Sequence, residues 1–127
     1  MDATQLDQLV RRLVENPHDE DALAFAHQEG EEDPKGYATL LERVGSDSRD
    51  PAYAAHWLSE SAHVWMSVLG DAPRAARLLM TAVDRDPTHR VSAERLADLY
   101  RNRGEAKALA ALLDRRHDLV PLRAEVE

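Results

Sequence analysis

The chain has 127 residues, a net charge of −8 and no cysteine, which excludes disulfides, thiol catalysis and zinc–thiolate sites. No apolar run approaches the roughly 18 residues of a membrane span, and the start Met1-Asp2-Ala3-Thr4 lacks a basic-then-apolar leader, so a cytoplasmic location is expected. The length fits one domain, residues 1–127. Ala, Leu and Arg dominate and Ile is absent, a composition that favours helices over strands. Arginine outnumbers lysine 14 to 2, a bias that fits a high-GC bacterial genome. The excess charge is local. Residues 15–33 hold eight acids (Glu15, Asp19, Glu20, Asp21, Glu29, Glu31, Glu32, Asp33) and no Lys or Arg, and the rest of the chain is balanced. This is the opposite of a nucleic-acid footprint. It reads either as a solvated helix face with acids at a helix start or as a patch that attracts a basic partner.

In chain order, Leu6, Leu9, Val10, Leu13 and Val14 form a one-faced helical stripe that Asn16-Pro17 ends. A second helix is expected from Asp19 to about Glu29, broken by Gly30 and Asp33-Pro34. Tyr37, Leu40, Leu41 and Val44 mark a third, and Gly45-Ser46-Asp47-Ser48 reads as a loop. Asp50-Pro51 opens the longest helix, to about Leu69. Gly70-Asp71 separates it from the stripe Ala75, Leu78, Leu79, Ala82 and Val83. After Asp86-Pro87-Thr88, Ala93, Leu96, Ala97 and Tyr100 lie on a helix that stops before Gly104. Ala106, Leu109, Ala110 and Leu113 lie on the last, which ends before Pro121. The tail from Leu122 is frayed or begins a further helix.

Two ladders run through this pattern. Gly36, Gly70 and Gly104 are 34 residues apart. Pro17, Pro51, Pro87 and Pro121 follow at 34, 36 and 34. A fixed period of this size marks a stacked array of helix pairs, each glycine ending a helix at a turn and each proline preceding the next. Gly70, Ala75, Ala82 and Pro87, and then Leu96, Ala97, Tyr100, Gly104 and Pro121, resemble the signature of the tetratricopeptide repeat. Trp57 and Ser61 fall on its Trp and small positions. The first pair departs most: Gly36 to Pro51 is only 15 residues, which reads as a short second helix, and the first helices of pairs one and two read as two residues longer than usual. Leu109 and Arg116 stand where alanines are expected.

The resemblance implies an all-α, right-handed superhelical array of antiparallel pairs: a leading helix at 3–15, then pairs at about 18–45, 50–86 and 88–120. The leading helix would cover one end. The other end shows no cap, which suggests a longer array or a partner there. The implied function is a non-enzymatic scaffold or adaptor that binds a protein or peptide on a concave face. That face would be lined by Asp21, Ala24, Gln28, Glu31 and Glu32, by Ala55, Leu58, Ala62, Trp65 and Met66, and by Val91, Glu94, Asp98, Arg101 and Asn102. Trp65 and Met66 would be its apolar anchor, and the acids would steer a basic, partly apolar segment. The basic positions with which some family members grip a C-terminal carboxylate are not matched. Trp57 is expected in the core; Trp65, eight residues on, is turned about 80° around the helix.

Two rivals are open. Self-association would bring the acidic first pair against Arg101, Arg103, Lys107, Arg115 and Arg116 of another copy. Alternatively His56, Glu60 and His63, with a Glu-x-x-His spacing, could belong to a ferritin-like metal site, although no second such motif occurs and the ligand count is low. His18 and His89 follow prolines and read as turn or cap residues; His27 and His117 have no evident partner. No Gly-rich phosphate loop or nucleophile elbow occurs, and no cofactor or nucleic acid is expected.

Overall fold

A computed structural model describes residues 1–115. They form seven helices and no strand: α1 (Ala3–Glu15), α2 (Glu20–Glu32), α3 (Pro34–Asp47), α4 (Pro51–Ser67), α5 (Ala72–Arg85), α6 (Arg90–Asn102) and α7 (Ala106–Arg115). None is long and apolar enough to cross a membrane. Arg116, His117, Pro121 and the tail from Leu122 lie outside the described residues.

Aspartate opens each of the first five helices. Asp2, Asp19, Asp33, Asp50 and Asp71 accept the backbone N–H of Gln5, Ala22, Gly36, Ala52 and Arg74 at 2.8–3.1 Å. Each satisfies a donor that a helix start leaves unpaired, an effect of about 1 kcal/mol. His89 does the same for α6, its Nδ1 facing the Ser92 N–H at 3.3 Å. Gly70 and Gly104 end α4 and α6 with φ of 68° and 70°, the left-handed region that glycine enters without a Cβ penalty.

Helices adjacent in sequence pack on one another, and α4 meets α3 on one side and α5 on the other more extensively than any other pairs. α1 also packs on α3, and α4 on α6. One core gathers Leu9, Val10, Leu13, Ala22, Ala26, Leu40, Leu41, Val44 and Trp57. Another gathers Trp65 with Ala75, Leu79, Leu96, Tyr100, Leu109 and Leu113. Between α3 and α4 the backbones come close: the Ser61 hydroxyl donates to the Ala38 carbonyl at 2.7 Å.

Several expectations are corrected here. Gly45 is no loop residue. It is buried inside α3, where a Cβ would lie 2.8 Å from Leu58 Cγ and 3.1 Å from the Ala54 carbonyl oxygen, so glycine is there for close approach. Gly30 does not break α2, which continues to Glu32; a Cβ on it would lie 2.8 Å from the Tyr37 ring. Gly36 sits in the first turn of α3 rather than at a turn between helices. Nor is the second helix of the first pair short, since α3 and α5 each have 14 residues. The missing length is in the connection. Asp33 alone joins α2 to α3, closing one helix and opening the next, whereas residues 68–71 join α4 to α5. Of the first helices only α4, with 17 residues, is longer than α6; α2 matches α6 at 13.

The working period is 35 residues. Moving along α2, α4 and α6 in steps of 35 aligns Ala22, Trp57 and Ser92, then Ala26, Ser61 and Leu96, all buried. Gly30, Trp65 and Tyr100 also align, so the space that a large ring fills in α4 and α6 is left by Gly30 for Tyr37.

Candidate functional site

The exposed stripe of α4 follows from that register. Tyr53, His56, Glu60 and His63 recur at helical spacing, with Tyr53 packed against the edge of the first core. Across from them stand Leu23 and His27 of α2. Between the helices is a cleft of about 310 Å³, lined by Tyr53, His56, Glu60, Leu23 and His27 together with His18, Tyr37, Leu41 and Trp57; His63 lies outside it.

Its polar groups are held in pairs. The Tyr53 hydroxyl and His18 Nε2 are 2.9 Å apart. The Tyr37 hydroxyl is 3.3 Å from His27 Nδ1. His56 meets Trp57 edge-on, with ring centroids 5.0 Å apart. Burial, and then the Glu60 charge, push the Tyr37 phenol above its ordinary value, so it stays a neutral hydroxyl at physiological pH. On the far side of Glu60, Arg95 from α6 donates from Nη1 to Glu60 Oε1 at 3.2 Å, to the Ser59 carbonyl at 3.1 Å and to Ser59 Oγ at 2.9 Å. Arg95 thereby fixes α6 to α4 and orients the carboxylate.

A larger cavity, about 510 Å³, lies beyond Tyr53 near Pro17, Ser48 and Asp50. Of its polar groups, Asp50 caps α4 and the Ser48 hydroxyl bonds the Val44 carbonyl at 2.6 Å; Glu15 and Arg49 stand in the same lining. The α2–α4 cleft gathers more aromatic and titratable side chains and is the better chemical candidate.

The residues expected to line a groove are scattered. Leu58 and Trp65 are core residues, 1% and 5% exposed, and they are corrected from partner-binding to structural positions; Ala55 and Ala62 are buried with them. The cause is where each proline sits. Pro17 and Pro87 stand two residues before the residues that cap α2 and α6, while Pro51 is itself the first residue of α4. Counting forward from the prolines therefore places α4 one residue short of the 35-residue register. Met66 is 36% exposed but has lost its neighbour as co-anchor. Asp21 faces α1, beside Gln5, Gln8, Arg12 and Phe25. Gln28, Glu31 and Glu32 are exposed on α2. Glu94 pairs with Arg90 at 2.6 Å and Asp98 with Arg101 at 3.1 Å.

Reading the sequence for a groove missed Tyr53, His56, Glu60, Leu23, His27 and Tyr37. The spacing of His56, Glu60 and His63 was visible but pointed to a metal. Among the described residues no group of three or more His, Cys, Asp or Glu is disposed to hold a metal ion. Comparison with known proteins gives no match to a family model, a curated protein or a solved structure.

Proposed function

We propose that the chain is a tetratricopeptide-like array of helix pairs that binds a segment of another protein along α2, α4 and α6, without catalysing a reaction. The shared 35-residue register of these three helices supports the array reading, as do the left-handed glycines after α4 and α6. The observation that carries the binding reading is the α2–α4 cleft, which brings His27, Tyr53, His56 and Glu60 together between two helices with Trp57 of the first core in its lining. Concave sites with a few convergent polar groups are where ligands bind most often. A helical repeat offers such a cleft on a rigid wall, suited to an extended or helical peptide.

The test places a photo-crosslinking amino acid at His56, in the cleft, or at Thr81, exposed on α5. In cell extract His56 should give discrete protein adducts and Thr81 none above background. Equal labelling from both positions sinks the reading. Adducts consisting only of a second copy of the chain, with a dimer or larger species by light scattering, would replace it with self-association.

A further inference from the structure

Every other helix carries Lys or Arg; α2 and α4 carry neither. These two helices wall the cleft. On α2 the spacing Glu20, Leu23, His27 and Glu31 puts a carboxylate one turn before and one turn after the lining residues, on the same face. On α4, Glu60 lines the cleft itself. The only cation on this carboxylate among the described residues is Arg95, which approaches from α6 and engages Oε1 with a nitrogen shared between three acceptors. Oε2 has no hydrogen-bond partner among the described residues. Around Glu60 the lining is aromatic: Tyr37, Tyr53, Trp57 and the imidazoles. Ring faces carry negative partial charge and attract cations. A carboxylate in an aromatic lining, on helices that carry no Lys or Arg of their own and with one oxygen left by Arg95, is complementary to a cation and repels an anion.

We infer that the α2–α4 cleft receives a cationic side chain, arginine or lysine, from the bound segment, with Glu60 as counter-ion and Tyr53, Tyr37 and Trp57 as its aromatic walls. This rests on the segment-binding reading above and gives the segment its chemistry. Arginine fits better than lysine, because a planar guanidinium can stack on a ring while donating to Glu60 Oε2. Arg74 over Trp65, 4.2 Å from guanidinium carbon to ring centroid, with Glu42 as its partner, is the same chemistry satisfied inside the protein.

The test is an NMR titration of the intact chain with a short capped peptide carrying one central arginine, alongside the same peptide with citrulline, its neutral isostere. The expected result is that the arginine peptide shifts the Trp57 indole and the Leu23 and His27 amides and leaves the Trp65 indole unmoved. Citrulline should bind at least about tenfold more weakly. Glu60→Gln, which can still accept from Arg95, and Tyr53→Leu should each weaken the arginine peptide while the amide spectrum stays native. Equal affinity for both peptides, shifts mapping elsewhere, or no cleft shift at millimolar peptide overturns the inference. Cleft-directed crosslinks from His56 without arginine selectivity would sink the cation and leave the segment-binding reading standing; arginine selectivity without protein adducts would do the reverse.

Discussion

The two tryptophans of α4 are eight residues apart and equally buried, yet their surroundings differ. Trp65 is sealed. Arg74 lies on its ring and is held there by bonds to Glu42 at 3.1 and 3.2 Å, so one ion pair closes α3, α4 and α5 over it. Trp57 belongs to the other core, but it also borders the cleft, against His56, and among the described residues no guanidinium lies over its ring as Arg74 lies over Trp65. The difference teaches where the protein spends its own cations. Arg74 from α5 closes over Trp65 and Arg95 from α6 ties Ser59 and Glu60, whereas α2 and α4 carry no Lys or Arg of their own.

The largest expected effect tests whether both rings are structural. Trp65→Ala should cost about 3–5 kcal/mol, read from urea unfolding, and Trp57→Ala a similar amount. A near-parental midpoint for either would show that its side of α4 is not a core. Next is Gly45→Val. Its side chain would meet Leu58 and the Ala54 carbonyl, so a loss of about 1–3 kcal/mol is expected, and a neutral result would mean that α3 and α4 can part freely. Arg74→Ala should cost about 1 kcal/mol, since the pair is partly exposed. It should make Trp65 more accessible to acrylamide quenching and leave Trp57 unchanged; equal changes at both would erase the sealed–open distinction.

The smallest effect is acid sensitivity. Asp19 is held below the ordinary carboxylate range by the Ala22 N–H and then by Arg12, and Asp33 by the Gly36 N–H first. Their folded values lie below 3.8, so the stabilisation is fully present above that pH and is lost as pH falls through the lower folded values. Hydrogen exchange around α1–α3 should accelerate below about pH 4 before it does around α5 and α6. Asp19→Asn should blunt that acid response, and an unchanged response would remove this carboxylate from the account.

Helix positions were readable because punctuation is local: Asp-Pro, Asn-Pro and Gly act through the φ and hydrogen bonds of their own neighbours. Packing-dependent glycines were not. Gly45 looks like a turn residue beside Ser46, Asp47 and Ser48, yet what selects it is Leu58 on another helix. Gly30 likewise answers to Tyr37. The face of α4 was missed because Pro17 and Pro87 precede the caps of α2 and α6 by two residues while Pro51 lies inside α4. Positions counted from the prolines fall one residue short there, which rotates every assignment by about 100°. Tyr37 could not be placed in the cleft from sequence, since it projects from α3 rather than from either wall. The pairing of His18 with Tyr53 and of His27 with Tyr37 depends on that same packing.

The turn at Asn16–Asp19 and the turn at Asp86–His89 have a consequence for how such a chain can grow. In each, the first side chain accepts the N–H two residues on at 3.0 Å, and the fourth N–H returns to the first carbonyl, at 3.1 and 3.0 Å. They lie 70 residues apart, and the helix that follows each has 13 residues. Residues 17–86 are therefore a cassette with compatible ends. Splicing in a second copy after Asp86 would recreate a joint of the kind already present, with Pro17 following Asp86 in place of Pro87. Leu79 and Val83 would stand before α2 where Leu9 and Leu13 now do. A chain doubled in this way should gain helix in proportion by circular dichroism and keep a single melting transition. Two separate transitions would mean that the joint is shared but the packing faces are not.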